Sequence, residues 1–439
     1  MIARGRNLLT AIGDAFWLLP GLMVTAGVVA AVLLVEADRS GAVPQALLKS
    51  PWLYNGGSTG ARTLLGAIAS STIGVAGTVF SITIAALSLA AGQMGPRLLR
   101  NFTRDRWVQM SLGTFLGTFS YALMVLRTVR DRGESVFVPH LALSVAILLA
   151  LVCVGTLIYF IDHMASRINV DTVVELVSDD LRFAFARLTT ESAQPARPSA
   201  AQWQQATSVF DGRRGYLQQL EGDALADWAS KNGTSVSLAV RLGDYVFPGA
   251  PIALMTPHAR GGSAAIMDAT ALGAQRASSG DLEFAVRQLV EVAVRALSPG
   301  INDPMTAISV LDRLGSALCD LAPRQLHTGV YERDGRIVLV VPSIDYDGLV
   351  DAMFHMIRQN ADGSAAVLIR MVDVIVAVAR CERDPGRIET LARHVTLVRH
   401  DAMRAIPSAA DRDDIIARCE IFAAVRNEGP AAALASQRD

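Results

Sequence analysis

Four long apolar segments dominate the first 170 residues of the chain, and none of them contains Asp, Glu, Lys or Arg. A helix needs about 20 mainly apolar residues to cross a hydrocarbon core of roughly 30 Å. The pattern therefore predicts a transmembrane domain at residues 1–170 with four helices, at about residues 16–35, 64–91, 108–126 and 138–161.

From residue 171 onward the polarity is mixed, and apolar runs of that length do not recur. Helical spacing, short alternating runs and turn residues divide this half into three parts. We expect a helix and linker at residues 171–202, a small β-rich module at 203–260, and a mostly helical part with one β-hairpin at 261–439. The predicted fold class is a membrane α-helical domain with four transmembrane helices, followed by a soluble α+β domain.

The stretch "LGDYVFPGAPI" in the β-rich module is similar to half of a lipoyl-like barrel, where Gly-Asp and Pro-Gly turns join short strands. Lipoyl carriers attach their cofactor to a lysine at a turn. The only nearby lysine, Lys231, lies outside such a turn. We therefore expect a lipoyl-like shape without a cofactor.

Seven small or hydroxylated residues recur at alternating steps of three and four along the second apolar segment, so they share one helix face. They are Ser71, Gly74, Thr78, Ser81, Ala85, Ser88 and Gly92. Two hypotheses account for this face. Small residues allow close packing of membrane helices. Alternatively, copies of this helix from several subunits surround a water-filled path that the hydroxyl groups face.

Gly113 and Gly117 lie four residues apart in the third apolar segment, a spacing typical of close helix contacts in membranes. We expect this face to pack against the second segment.

A basic stretch, "QMGPRLLRNFTRDRW", joins the second and third segments and places Arg97, Arg100 and Arg104 on one face. One hypothesis is an interfacial segment that binds lipid phosphates. The other is a cationic vestibule at the inner end of a pore.

The stretch "RALSPGINDPMTA" separates two amphipathic helical patterns in the soluble half. Asp303 is a typical N-cap residue and Pro304 suits the first turn of the following helix. We interpret the stretch as a structural elbow formed by Pro299, Gly300, Asn302, Asp303 and Pro304. The alternative is that Asn302 and Asp303 are polar ligands.

The helix before this elbow, predicted at residues 281–297, carries charged residues four positions apart. They are Glu283, Arg287, Glu291 and Arg295. With an acid before each base, this spacing predicts a solvated ladder of ion pairs.

Composition agrees with a membrane location: 51% of the residues are hydrophobic and only 18% are charged. Arginine and lysine residues near the predicted helix ends give a small positive-inside excess when the N-terminus is cytoplasmic. Cys319, Cys381 and Cys419 form an odd set without disulfide-like spacing, which favours a reducing compartment for the soluble half.

Sequence motifs for chemistry are missing. The four segments lack acidic and basic residues, which argues against a proton-driven transporter. The chain has no P-loop, GxSxG, HExxH or cysteine-pair motif, and His394 and His400 are six residues apart. We therefore expect no enzyme activity, no metal site, no cofactor and no nucleic-acid partner.

Three motifs, "QMGPRLLRNFTRDR", "LGTFLGTFSYALMVLRTVR" and "RALSPGINDPMTA", occur in this order. In them the chain resembles a bacterial family of predicted membrane proteins known only as a domain of unknown function, over about residues 9–426. The resemblance implies four spans and a cytoplasmic domain, without an activity. Members of that family often carry paired histidines at the end of the fourth span, where this chain has Asp162-His163.

The leading functional hypothesis is an oligomeric passive ion channel in the bacterial inner (plasma) membrane, with both termini cytoplasmic and the second span lining the path. Its layout is similar to that of small-conductance mechanosensitive channels, which is a likeness of architecture alone. The expected partners are the lipid bilayer and further copies of the chain, three or more in total. The alternative is a non-conducting sensor or scaffold whose cytoplasmic domain binds a partner or an unidentified small molecule.

Overall fold

The computed structural model describes residues 16–40, 54, 56–94, 105–132, 135–167, 170–276 and 281–431. Within it the chain divides into two compact units between residues 169 and 170. The first, which we call the membrane unit, contains the long apolar helices. The second, the soluble unit, contains a mixture of strands and amphipathic helices.

Four helices among the described residues are long and apolar enough to cross a membrane. They are α1 (Leu18–Arg39), α2 (Ser58–Met94), α3 (Arg106–Thr128) and α4 (His140–Arg167). Two short antiparallel strands, β1 (Arg130–Arg132) and β2 (Ser135–Phe137), lie between α3 and α4. Each helix covers one apolar segment, so the prediction of four spanning helices is confirmed at the level of length and composition.

The helix α3 lies at the centre of the membrane unit. Half of its apolar window, 50%, is buried, compared with 17% for α1, 33% for α2 and 22% for α4. Two apolar clusters surround it: one contains Tyr121 and Val125, and the other contains Phe115. The other three helices therefore expose most of their surface.

Glycines bring α1 and α3 into backbone contact. A Cβ atom on Gly27 of α1 would lie 2.6 Å from the carbonyl oxygen of Gly117, and one on Gly117 would lie 3.0 Å from the carbonyl oxygen of Met23. A Cβ atom on Gly113 would likewise lie 3.2 Å from the Cα atom of Pro20. The glycine face of α3 thus packs on α1, and the prediction that it packs on α2 was wrong. Small residues mark a close approach without identifying the partner.

The soluble unit begins with α5 (Val170–Leu188), which buries Val174, Val177 and Leu181. Its first strands are β3 (Thr189–Thr190), β4 (Thr207–Phe210) and β5 (Gly215–Leu220). The helix α6 (Gly222–Lys231) follows, and then come β6 (Ser235–Leu238), β7 (Tyr245–Val246), β8 (Pro251–Thr256), α7 (Gly262–Ala269) and β9 (Thr270–Gly273).

The second part of the soluble unit is mainly helical. It contains α8 (Leu282–Ala296), α9 (Pro304–Leu321), β10 (Gln325–Leu326), β11 (Val330–Arg333), β12 (Arg336–Val340), α10 (Tyr346–Asn360), α11 (Ala365–Cys381), α12 (Pro385–Ala405) and α13 (Ala409–Glu428). The apolar face of α8 is buried, as Leu289 and Val292 illustrate. The mostly helical character predicted for residues 261–439 is seen in these six helices, and β11 and β12 form a hairpin.

The largest sheet has five strands in the order β11-β12-β6-β8-β4. Only the β12–β6 pair in this sheet is parallel, with Leu339 opposite Val236. A three-stranded antiparallel sheet has the order β7-β5-β9, and β3 pairs with β10. Val236, Met255 and Leu339 belong to the buried cluster of the larger sheet.

The lipoyl-like module at residues 203–260 is not confirmed. Its strands are divided between two sheets, and the larger sheet also contains the later hairpin of β11 and β12. The predicted boundary at residue 260 therefore does not separate the β structure from the helical part. Parallel pairing joins segments about a hundred residues apart and leaves no local sequence pattern that could reveal it.

The α1–α3 contact makes a direct prediction. Substituting Gly27 by Val places two methyl groups against the Gly117 backbone, and overpacking of this kind costs about 1–3 kcal/mol. We expect a lower Tm for Gly27→Val of the full chain in detergent, measured by intrinsic fluorescence. Gly155→Val on α4 is the control, because nothing lies within 4 Å of a Cβ atom there. Equal losses for the two variants would contradict the packing argument.

Candidate functional site on the second span

The buried face of α2 is mainly apolar, with Thr72 and Thr83 among its buried residues, and it packs on the other helices of the membrane unit. Leu65 and Ile68 belong to one apolar cluster with residues of α3 and α4, and Val79 and Ala86 belong to the other. These four positions repeat with the period of a helix, so one side of α2 is used for contacts within the chain.

The predicted small-residue face lies on the opposite side of α2, and all seven of its residues are exposed. They are Ser71, Gly74, Thr78, Ser81, Ala85, Ser88 and Gly92. A Cβ atom added to Gly74 would meet nothing within 4 Å. The four helices of one chain therefore leave this face uncovered.

Three of the hydroxyl groups on this face donate hydrogen bonds to their own helix. Ser71 Oγ donates to the Ala67 carbonyl (2.7 Å), Thr78 Oγ1 to that of Gly74 (3.2 Å), and Ser81 Oγ to that of Gly77 (2.9 Å). Each of these three hydroxyl hydrogens is thereby satisfied, while the oxygen retains acceptor capacity on the outer side. At these positions the face can lie against another helix or against water without an unpaired donor.

The outer faces of α1 and α4 have a different character. Leu22 and Leu33 of α1 are exposed, and so are Leu151 and Ile158 of α4. Such large apolar side chains suit contact with lipid tails. On α2 the exposed large residues, including Ile73, Phe80 and Ile84, flank the small-residue face.

The basic residues Arg97, Arg100 and Arg104 lie outside the described residues. The structure resumes at Asp105, which caps α3 by accepting a hydrogen bond from the Trp107 backbone at 2.9 Å. The carboxylate of Asp105 also lies 2.7 Å from His163 Nε2 of α4, and both side chains are largely buried. Sequence analysis noted His163 but not its partner, because the two residues belong to different helices.

The elbow residues lie between α8 and α9. The backbone of Asn302 is in the left-handed region with φ 50°, and the Asp303 amide donates to the carbonyl of Ala296 at 2.8 Å. Asp303 precedes α9, Pro304 is in its first turn, and the Asp303 carboxylate accepts from the amide (3.1 Å) and hydroxyl (2.6 Å) of Thr306. Pro299 and Gly300 lie in the turn that closes α8. The carboxylate of Asp303 is thus used in a helix cap.

The ladder of ion pairs on α8 was predicted to be solvated, but its first member is buried. Glu283 is only 6% exposed, and its carboxylate is bound by Arg287 from the same helix and by Arg241 from an earlier loop. Arg276 lies 3.7 Å from Glu283 and 2.7 Å from Asp281. The local spacing could not show that two arginines from outside the helix converge on its first turn.

The pKa values of the two carboxyl groups in this charged cluster, Glu283 and Asp281, shift in opposite directions. Burial alone would raise the pKa of Glu283, but the hydrogen bond from Arg287 and the charges of Arg241 and Arg276 hold it below its usual value. Burial raises the pKa of Asp281 despite its hydrogen bond from Arg276. Arg241 and Asp281 also line a cavity of about 410 Å³ with His327, Tyr331 and Ser343. Sequence analysis missed this cavity.

The soluble unit also contains a histidine pair that was not predicted. His394, which was compared with His400 along the chain, lies beside His355 and Asp351 of α10. The spacing of Asp351 and His355, one helical turn apart, was a signal that could have been noticed. Their proximity to His394 is a product of the packing of α10 on α12.

Comparisons with known proteins identify one family model and several relatives of the chain. A model described as "Predicted membrane protein (DUF2254)" matches residues 13–377 of the chain. An uncharacterized protein of Mycobacterium tuberculosis and one of Mycobacterium bovis are each 30% identical to it over 429 residues, covering 94% of this chain and 81% of the relative. No solved structure matches the chain significantly.

The Asp303 cap predicts a pH-dependent stability difference. Hydrogen bonds from Thr306 hold the pKa of Asp303 below its usual value. The ionised cap therefore stabilises the fold above the unfolded-state pKa of about 3.9 and is lost as the pH falls through the folded-state pKa. At pH 7 we expect Asp303→Ala to lower the free energy of unfolding by about 0.5–2 kcal/mol and Asp303→Asn by less.

Denaturant titration of the full chain in detergent at pH 7 and below pH 4 tests this expectation. The difference between wild type and Asp303→Asn should shrink at the lower pH. A difference that grows on acidification would contradict the capping role. An Asp303→Asn protein that is as stable as the wild type but has lost function would favour the ligand alternative.

Proposed function

Because the chain belongs to the family of predicted membrane proteins DUF2254, we propose a function within the bilayer: an oligomeric passive ion channel whose path is lined by α2. The proposal places the chain in the bacterial inner membrane with both termini in the cytoplasm. It assigns no catalytic activity and no cofactor to the protein.

The observation that carries the proposal is the exposure of the small, hydroxylated face of α2 in a single chain. Lipid tails and apolar side chains are about equally apolar, so membrane helices associate through close packing and hydrogen bonds. A face of Gly, Ala and Ser has a small contact area with lipid tails. The tails have no donor for the hydroxyl oxygens of this face. Either another protein surface or water suits this face better than lipid does.

The position of α2 supports an assembly in which its small-residue face meets protein and water and the large apolar residues of other helices meet lipid. Its small-residue face lies opposite the face that packs on α3 and α4. Copies arranged around a symmetry axis can therefore turn this face toward the axis and keep the large apolar residues of α1 and α4 toward lipid. A closed ring of identical subunits is the usual way to repeat such a contact.

Charge at the helix ends favours anions in this path. Arg97, Arg100 and Arg104 precede α3, Arg127 lies in its last turn, and Arg130 and Arg132 follow it. The span of α2 between them contains no acidic residue from Leu64 to Ala91. Positive potential at both mouths raises the local concentration of anions.

A second candidate function has an observation of its own. The cavity of about 410 Å³ in the soluble unit combines apolar walls with Arg241, Asp281 and His327, a composition suited to a small polar ligand. On this alternative the protein is a non-conducting sensor or scaffold. In a channel the same cavity would be the place where a ligand controls assembly or gating.

The assembly predicts a homo-oligomer of three or more copies. A single four-helix unit is too small to enclose water while covering its small-residue face. We expect native mass spectrometry in mild detergent, and mass photometry in nanodiscs, to show one species of at least three chains. A monomer in both environments would exclude the channel.

The path itself is tested at Thr78, which lies in the middle of the span. In liposomes loaded with an ion-sensitive dye, wild type should pass chloride more readily than potassium. Thr78→Leu should block this flux by narrowing and dewetting the path, whereas Thr78→Ala should leave it nearly unchanged. The matched control is Thr156→Leu on α4, where the wild-type hydroxyl donates to the Val152 carbonyl at 2.8 Å, as Thr78 donates to Gly74.

The oligomer mass of each variant separates the two hypotheses for this face. Loss of flux in an intact Thr78→Leu oligomer supports a water-filled path. Dissociation by Thr78→Leu, with Thr156→Leu intact, shows that the face serves helix packing. A wild-type protein that passes neither ion under tension, voltage or pH change would eliminate the channel and leave the sensor or scaffold.

A further inference from the structure

Two helices of the soluble unit bring together three side chains that are common metal ligands. Asp351 and His355 lie one turn apart on α10, so both project from the same side of that helix. His394 lies in the middle of α12, which packs on α10. One ligand atom from each residue lies within 4.8 Å of those of the other two.

The three side chains meet at one carboxylate oxygen. His394 Nε2 lies 2.9 Å from Asp351 Oδ1, and His355 Nε2 lies 3.0 Å from the same atom. The centroids of the two imidazole rings are 4.9 Å apart. Both Nε2 atoms therefore point toward a common position next to Oδ1.

The opposite nitrogens of the two rings have no hydrogen-bond partner among the described residues. His355 Nδ1 and His394 Nδ1 are both buried and unpaired there. A second hydrogen bond normally determines which ring nitrogen carries the proton. Without an ion, the Asp351 carboxylate accepts the Nε2–H of each ring. When an ion replaces these hydrogen bonds, each ring can carry its proton on Nδ1 and present the Nε2 lone pair. The exchange of tautomers releases no net proton.

The surroundings keep His394 in the form that binds a metal ion. Its side chain is 0% exposed, and its ring packs edge-on against that of Phe354, with 5.7 Å between the ring centroids. Such apolar surroundings disfavour a charged ring, and a neutral imidazole is the form that binds a metal ion.

We propose that Asp351, His355 and His394 form a binding site for a divalent transition-metal ion of the zinc class. Zinc binds imidazole nitrogen at about 2.0–2.1 Å and carboxylate oxygen at about 2.0–2.2 Å, so neighbouring tetrahedral ligand atoms lie roughly 3.3 Å apart. The distances of 2.9 and 3.0 Å to Oδ1 need to lengthen by only a few tenths of an ångström to admit the ion.

Access to the site is one-sided. The Asp351 and His355 side chains are 34% and 32% exposed, whereas His394 closes the inner side. An ion can therefore enter past Asp351 and His355. Three protein ligands leave a fourth tetrahedral position on the solvent side for water or another small ligand.

Arg393 is the one neighbouring cation that touches this carboxylate in the described structure. Its guanidinium lies 2.6 Å from Asp351 Oδ1, and its side chain is 43% exposed. Because Asp351 has a second oxygen and Arg393 is on the outer side, the arginine can bind Oδ2 while Oδ1 binds the ion. In that position Arg393 would orient the carboxylate as an outer-shell partner.

A bound ion would join α10 to α12 in the C-terminal helical part of the soluble unit. The inference is independent of ion conduction by α2, since no residue is shared between the two sites. Its test uses the full chain in detergent, without a histidine tag, with thiols reduced and metals removed by a chelator.

Zinc titrated against a chromophoric chelator should reveal one site per chain that is absent from Asp351→Asn and His355→Gln. Because loss of an outer-shell partner alone weakens binding by about 10–100-fold, loss of a ligand should weaken it by at least about 100-fold. His400→Gln is the matched control, because His400 lies on α12 with His394 and is exposed. Cobalt should give visible absorption bands in wild type and His400→Gln but not in the two ligand variants.

Circular dichroism of the metal-free variants shows whether each one folds. If a variant does not fold, a measurement on the wild-type protein replaces it. Zinc should protect His355, but not His400, from acylation by diethylpyrocarbonate. Absence of zinc binding to wild type would overturn the proposal. So would unchanged affinity in folded Asp351→Asn and His355→Gln, or equal loss of affinity in His400→Gln.

Discussion

The backbone contact between α1 and α3 is the constraint on which the membrane unit depends. Gly27 and Gly117 bring the two helices so close that a single added carbon would collide with a carbonyl oxygen. With this side of α3 occupied by α1, its remaining surface is left for α2 and α4. In a solvent of lipid tails such close packing replaces the hydrophobic effect as the source of helix association.

This arrangement determines which residues of α2 remain outside. The face with Leu65 and Val79 is used within the chain, and the face with Thr78 and Ser81 is not. A small-residue face on α3 is satisfied internally by α1, whereas the similar face on α2 has no such partner among the described helices. The same sequence feature therefore has two different consequences, and the difference lies only in the packing.

The soluble unit combines distant segments in a similar way. Its largest sheet joins β6 to β12 across about a hundred residues, and the first turn of α8 draws Arg241 and Arg276 to Glu283. Buried charges of this kind are stable only when their partners are supplied, which explains why Glu283 remains ionised inside the fold. The Asp351, His355 and His394 cluster is a third case, with two ligands from one helix and one from another.

The sequence by itself determined the features that depend on nearby residues. Apolar runs of the length of a bilayer located the four spans, and helical periodicity located the small-residue face of α2. Turn chemistry placed Asp303 and Pro304 at the start of α9. Each of these follows from repeats or caps within a few helical turns, where the period of the backbone alone decides which side chains are neighbours.

The tertiary structure decided everything that depends on partners. It paired Gly117 with α1, moved the later hairpin into the sheet of β6, and buried Glu283 beside arginines from other elements. It also placed His394 next to His355, a neighbour that its spacing from His400 along the chain does not indicate. Such contacts form between surfaces whose patterns are each compatible with several partners, and only the packing of the whole unit selects among them.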